Sequence, residues 1–287
     1  MTKKYIYKID TSQQDAPAFL LRAVGHNKNV LEIGCASGMQ SRILKDDQSC
    51  KVTGIEIDST AAKDAAKYCE SIIIGDIESL DLNMALGERR FDVITIADVL
   101  EHLRNPAKVL ARLKSYLTDD GYIVASIPNV VHGGLILHMA KGRFDYNSYG
   151  LLDDTHIKFF TLKTIHHLFE DSGLKISKID RAMRTVEQTE FYKGPLSPAE
   201  ISFLNFVREN NSEFETYQFI LTAHVSTEKG AEKTYIELNQ EDEIKDLKLI
   251  NTALQKNARS SDSKLQWITS RPAYKIYAAL TRILRFK

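Results

Sequence analysis

Cysteine is scarce in this chain, net charge is absent, and two common nucleotide-binding patterns are missing at its glycine turn. The three cysteines, Cys35, Cys50 and Cys69, have no metal-ligand spacing. An odd, sparse set does not build a disulfide framework and suits a reducing cytoplasm. Lysine plus arginine numbers 38 and aspartate plus glutamate 38, so the whole chain offers no electrostatic case for nucleic acid. No run of eighteen apolar residues occurs, and the opening Met-Thr-Lys-Lys-Tyr-Ile-Tyr-Lys-Ile-Asp lacks the apolar core of a secretion signal. A cytoplasmic protein is expected. Neither Gly-x-Gly-x-x-Gly nor Gly-x-x-x-x-Gly-Lys-Ser/Thr is found at the glycine turn, which argues against a dinucleotide fold and a P-loop there. The 287 residues suffice for one large domain or for one domain plus an appendage, and the 43% hydrophobic content is ordinary for a globular protein.

What is present begins at Asn29-Val-Leu-Glu-Ile-Gly-Cys-Ala-Ser-Gly38. Val30, Leu31 and Ile33 read as a buried parallel strand. Gly34 and Gly38 break it, and Met39 to Leu44 starts a helix. A strand, a small-residue turn and a helix bring backbone N–H groups against a ligand. Glu32, at the carboxyl end of the strand, would repel a pyrophosphate but suits a cationic ligand.

This stretch resembles motif I of the class I S-adenosylmethionine-dependent methyltransferases, with Ala36 in place of the middle glycine. The resemblance implies a Rossmann-like methyltransferase fold with S-adenosylmethionine as cofactor. It places Glu32, Gly34, Cys35, Ala36 and Gly38 around that cofactor, with Cys35 as a small residue that fits the loop. An acidic residue about 20 positions past the glycine loop can accept both ribose hydroxyls, which points to Glu56, with Ile57 beside it and Asp58 as competitor. The family pattern then puts Asp76 and Ile77 at the adenine and Ala97 at the end of the fourth strand.

Five expected strands, at 29–33, 51–57, 71–74, 91–96 and 122–127, alternate with helical stretches, including a helix over 15–25 and an alanine-rich one over 61–70. Such alternation predicts an α/β, doubly wound, mostly parallel sheet. Strands over 176–183 and 217–225 fit the family's antiparallel edge, completing seven. Between them, Ser197-Pro-Ala-Glu200 is a capping box that opens a helix within an insertion over 184–216.

Ligands bind beyond the carboxyl ends of such strands, so residues 130–160 form the expected substrate side. The strings Ile127-Pro-Asn-Val-Val-His132, Gly142-Arg-Phe-Asp-Tyr146 and Gly150-Leu-Leu-Asp-Asp-Thr-His156 resemble a bacterial methyltransferase group associated with cell-surface polysaccharide synthesis. That resemblance implies a glycan or other small-molecule acceptor held by Arg143, Tyr146 and Asp153. A hydroxyl nucleophile needs a base near neutral pH, and histidine is the usual one. His156 and His102 lead, with His132 third. A cation on Asp153, Asp154 and His156 ranks below a metal-free reaction. A catalytically silent scaffold and an O-methyltransferase of a quinone precursor are the alternatives.

The domain is expected to span 1–227. A polar helix and linker follow over 228–262, then a basic amphipathic helix over 263–287 carrying Lys264, Arg271, Lys275, Arg282, Arg285 and Lys287. Such a helix suits the inner face of the cell membrane or a glycosyltransferase partner.

Overall fold

A computed structural model describes residues 9–226. The polar helix and basic tail expected beyond 227 lie outside the described residues.

The described chain alternates helix and strand, and most helices open on a side-chain cap. Helix α1 (Ala16–Val24) starts at Asp15, whose carboxylate accepts the Ala18 N–H. Strand β1 (Asn29–Ile33) leads into α2 (Met39–Asp46), and β2 (Lys51–Glu56) into α3 (Ser59–Ala65). Asp58 caps α3 through the Thr60 and Ala61 amides, so that helix begins before the expected alanine run and is shorter. Strand β3 (Ser71–Ile74) and α4 (Leu82–Leu86) precede β4 (Phe91–Ala97). A 3₁₀ turn, Leu100–His102, then leads to α5 (Pro106–Leu113), capped by Asn105. Strand β5 (Leu117–Pro128) is followed by α6 (Gly133–Ala140) and α7 (Leu162–Asp171). Strand β6 (Leu174–Met183), α8 (Pro198–Asn210) and β7 (Thr216–Val225) complete the described fold.

The seven strands form one sheet in the order β3-β2-β1-β4-β5-β7-β6. The pairs from β3 to β5 are parallel, while β7 runs antiparallel to both β5 and β6. Strand β5 starts earlier than expected because Leu117 pairs with Phe91, after which residues 118–121 bulge before Tyr122 meets Val93.

Side chains alternate across each strand, so the sheet buries two faces. Leu31, Ile33, Ile94, Ile96 and Ile123 pack under α5 and α7 through Leu110, Leu113, Ile165 and Phe169. Val30, Val52, Val93 and Val124 pack under α1 and α2 through Leu20, Leu21, Ile43 and Leu44. This is the doubly wound α/β fold that the sequence predicts, with its antiparallel edge. In the insertion, α8 sits against α6 in a separate cluster of Leu137, Val186, Leu204 and Phe214.

Candidate active site

The carboxyl ends of β1, β2, β4 and β5 open into a cavity of about 1100 Å³. Of the residues that the sequence places around the cofactor, Glu32, Gly34, Cys35, Ala36, Glu56, Ile57, Asp76, Ile77 and Ala97 line it. Gly38 does not. Its φ is +82°, and an added Cβ would stand 2.8 Å from the Ala65 backbone, so this glycine lets α2 pack against α3.

The glycine loop is tied to β2 by Glu56. One carboxylate oxygen accepts the Ala36 N–H at 2.7 Å and the other the Asp58 N–H at 2.8 Å. Each oxygen keeps a lone pair for a hydroxyl. Asp58, the competitor, caps α3 through one oxygen and does not line the cavity. Ala36 adopts φ +47°, a left-handed conformation that explains why the family pattern carries glycine at this point.

Glu32 is buried and accepts the Ser41 hydroxyl at 2.5 Å. Burial pushes its carboxyl up to about 8, against that hydrogen bond. Gln40 also lines the cavity, and its Oε1 is buried with no hydrogen-bond partner. A buried acid and an orphaned acceptor together fit a ligand that brings positive charge and N–H groups. Cys35 is held by Cys69, whose thiol the contact lowers to about 7 while the Cys35 thiol rises.

The second half of the cavity is built on the turn after β4. His102 Nδ1 donates to the Thr155 carbonyl at 3.1 Å. A carbonyl only accepts, so the Nε2 lone pair remains available as a base. His156 is buried, its Nδ1 donates to the Leu151 carbonyl at 3.3 Å, and its ring meets His102 edge-on at 4.8 Å. Two acids accompany them that sequence reasoning passed over. Glu101 is buried with neither carboxylate oxygen hydrogen-bonded, and one lies 3.9 Å from His156 Nε2. Burial, then the nearby Asp98 charge, hold its carboxyl well above the usual range. Asp98 sits at φ +52°, where it accepts from Ser126 at 2.9 Å and Gln218 at 2.6 Å. Although its side chain opens onto the cavity, the protein crowded around it pushes its carboxyl up to about 6, against the Ser126 bond and His102.

Other expectations resolve differently. His132 is fully buried outside the cavity, capping α6 through the Gly134 N–H and donating Nε2 to the Arg184 carbonyl at 2.8 Å. The following Gly-Gly and helix were the signal for that cap. Burial lowers its pKa. It is a structural histidine, and the expectation of a base there is corrected. Arg143 and Tyr146 stand outside the cavity, Arg143 lining a separate one of about 210 Å³ beside α6 and α8. Asp153 does line the main cavity, but its carboxylate accepts from the Thr155 amide at 3.0 Å and the Thr155 hydroxyl at 2.5 Å. The residues that could hold a cation among those described are not the lower-ranked set Asp153, Asp154 and His156 but Glu101, His102 and His156, whose ligand atoms lie within 4.8 Å of one another.

A sequence profile described as a methyltransferase domain matches residues 5–179, more than half of the chain. The chain belongs to this methyltransferase domain family. Among its relatives is a ubiquinone biosynthesis O-methyltransferase of Pasteurella multocida, 30% identical over 144 residues that cover 42% of this chain and 59% of that protein. The namesake of Glaesserella parasuis is 32% identical over 111 residues, 36% of this chain and 46% of that one. The methyltransferase thus spans about half the length of these curated relatives. The fold is shared with an S-adenosylmethionine-dependent methyltransferase of Thermotoga maritima, at TM-score 0.50 and 14% identity, over 73% of this chain and 87% of that one.

Proposed function

We propose that this methyltransferase carries a methyl group from S-adenosylmethionine to a hydroxyl of a small-molecule acceptor. The observation that carries the reading is one cavity shared by two sets of side chains. Glu32, Glu56 and the glycine loop stand at one end, and His102, His156 and Glu101 stand at the other. Bound there, S-adenosylmethionine supplies a methyl group on a positively charged sulfur. The protein's own work is to hold the nucleoside, exclude water and take the acceptor's proton. Glu56 is set to accept ribose hydroxyls, and Glu32 with Gln40 to receive the ligand's ammonium.

His102 Nε2 is the leading base, because the Thr155 carbonyl fixes its tautomer and no other hydrogen bond of that ring is found among the described residues. His156 buttresses it edge-on. The proton that His102 takes passes to water when the cavity reopens, since neither the methyl ether nor S-adenosylhomocysteine needs one, and Glu101 lies 3.9 Å from His156 Nε2 beside that base. The names of the relatives favour an aromatic hydroxyl of a quinone precursor over the sugar hydroxyl of a surface glycan. A second reading, in which a divalent cation on Glu101, His102 and His156 lowers the acceptor's pKa, rests on the orphaned Glu101 oxygens.

Calorimetric titration with S-adenosylmethionine and S-adenosylhomocysteine tests the cofactor, and transfer of a labelled methyl group to catechol and sugar acceptors tests the reaction. Absence of binding at millimolar concentration would overturn the reading. Loss of transfer on chelation, restored by magnesium, would select its cation-assisted form.

A further inference from the structure

The acceptor end of the cavity contains a cation that the proposed methyl transfer does not require. Arg184 follows β6 directly and lines the cavity together with Tyr149, Tyr217 and Gln218. Its backbone is clamped on both sides. The Arg184 N–H donates to the Glu215 carbonyl at 2.9 Å, and the Arg184 carbonyl accepts from the buried His132 at 2.8 Å. Its guanidinium lies over the Tyr217 ring, 4.0 Å from the centroid. Tyr217 is fixed in turn, because its hydroxyl donates to Glu190 at 3.0 Å.

Stacking uses the faces of a guanidinium and leaves its edge N–H groups for a planar or tetrahedral oxyanion. Neighbouring arginines have spent theirs. Arg181 is forked onto Glu213 at 2.7 and 2.8 Å, and Arg208 reaches Glu215 at 3.4 Å. Arg184 has no ion pair among the described residues. Glu190, which holds the Tyr217 hydroxyl, is itself engaged by the Leu151 N–H at 2.7 Å. An exposed arginine with an ordered backbone, a stacked side chain and an unused fork is built to meet a ligand.

We infer that the acceptor carries a carboxylate or phosphate group in addition to its reacting hydroxyl, and that Arg184 is the residue that selects it. The inference rests on the methyltransferase reading, since it assigns the end of the cavity opposite the nucleoside to the acceptor. Arg184 then sets both affinity and orientation, pinning the anionic group near β6 while the hydroxyl faces His102.

The test uses the full chain saturated with S-adenosylhomocysteine. Failure of that first titration overturns the methyltransferase reading before any acceptor probe is added. Three anionic probes follow, namely 3,4-dihydroxybenzoate, glucuronate and glucose 1-phosphate, each against its neutral counterpart, catechol or glucose. At least one anionic probe should bind tenfold or more tighter than its counterpart, and which one does so tells an aromatic carboxylate from a sugar carboxylate or a phosphate. Arg184→Gln should abolish that preference while leaving the neutral probe unchanged, and Arg184→Lys should keep part of it. Raised salt should weaken only the anionic probe. Equal affinity for charged and neutral probes, or a preference that survives in Arg184→Gln, would overturn the inference.

Discussion

On the proposed reading, Glu32 should make cofactor affinity a function of pH. With its carboxyl at about 8 in the ligand-free protein, roughly nine-tenths of the population is protonated at pH 7. A cationic ligand beside the group favours the carboxylate, so binding expels the proton and affinity must rise with pH. If the bound value falls well below 6, the apparent association constant grows about 20-fold between pH 6 and 7.5. Calorimetry in buffers of different ionisation heat should count about 0.9 protons released at pH 7. S-adenosylhomocysteine keeps the ammonium and lacks the charged sulfur, so comparing it with S-adenosylmethionine tells which charge Glu32 meets. The Glu32→Gln variant should bind more weakly, with a nearly flat pH profile. A second consequence has its own sign. A folded value above the ordinary 4.5 means that this group's stabilisation is fully present below 4.5 and is lost as pH rises through about 8. The melting temperature of the ligand-free protein should therefore fall more steeply from pH 5 to 8 than that of Glu32→Gln. A flat affinity profile in the native protein, or the same slope in the variant, would refute the reasoning.

The other expectations concern the base, the loop and the acceptor wall. Replacing His102 by alanine should slow methyl transfer about 10²–10⁴-fold in single-turnover assays while S-adenosylhomocysteine still binds, and His156→Ala should cost less because that ring only buttresses. Full activity in His102→Ala would remove it as the base. Ala36→Gly relieves a left-handed alanine and should stabilise the chain by about 0.5–1 kcal/mol, read as a melting shift of about 2 °C. Gly150→Ala should do the reverse by about 2–4 kcal/mol in chemical denaturation, because φ is +88° and a Cβ there would stand 2.2 Å from a Glu190 oxygen.

Much of this was legible in the order of strands and turns. Val30, Leu31 and Ile33 betray a strand buried on both faces, Glu32 is an acid at a strand end, and spacing narrows the second acid to Glu56 or Asp58. The base cluster was only half legible. His102 and His156 could be named from their place after β4 and within the substrate segment, yet Glu101 could not. A 3₁₀ turn aims Glu101 inward, and nothing in Leu-Glu-His-Leu distinguishes an inward acid from a solvated one. Asp98 depends on a left-handed backbone that aspartate tolerates but does not announce. His132 misled because nearness to a strand end says nothing of which way a helix cap turns its ring. As isolated cations in the sequence, Arg143 and Arg184 look alike. Only the pairing of β6 through β7 to β5 brings Arg184 back to the carboxyl ends of the sheet.

That same pairing governs the order in which the protein can be completed as it is synthesised. Strands β1 to β5 and their helices can assemble while the rest of the chain is still being made, because each parallel neighbour has already emerged. The outer edge of β5 then lies open, and β6 cannot close it, since β6 pairs only with β7. For the stretch from Asn129 onward to β7, nascent protein therefore exposes an apolar strand edge of the kind that recruits other chains. Closure waits for residues 216–225, which slide between two strands already made. On the proposed reading, a chain stalled before β7 would hold the nucleoside end of the cavity while its acceptor end still lacked Tyr217 and Gln218.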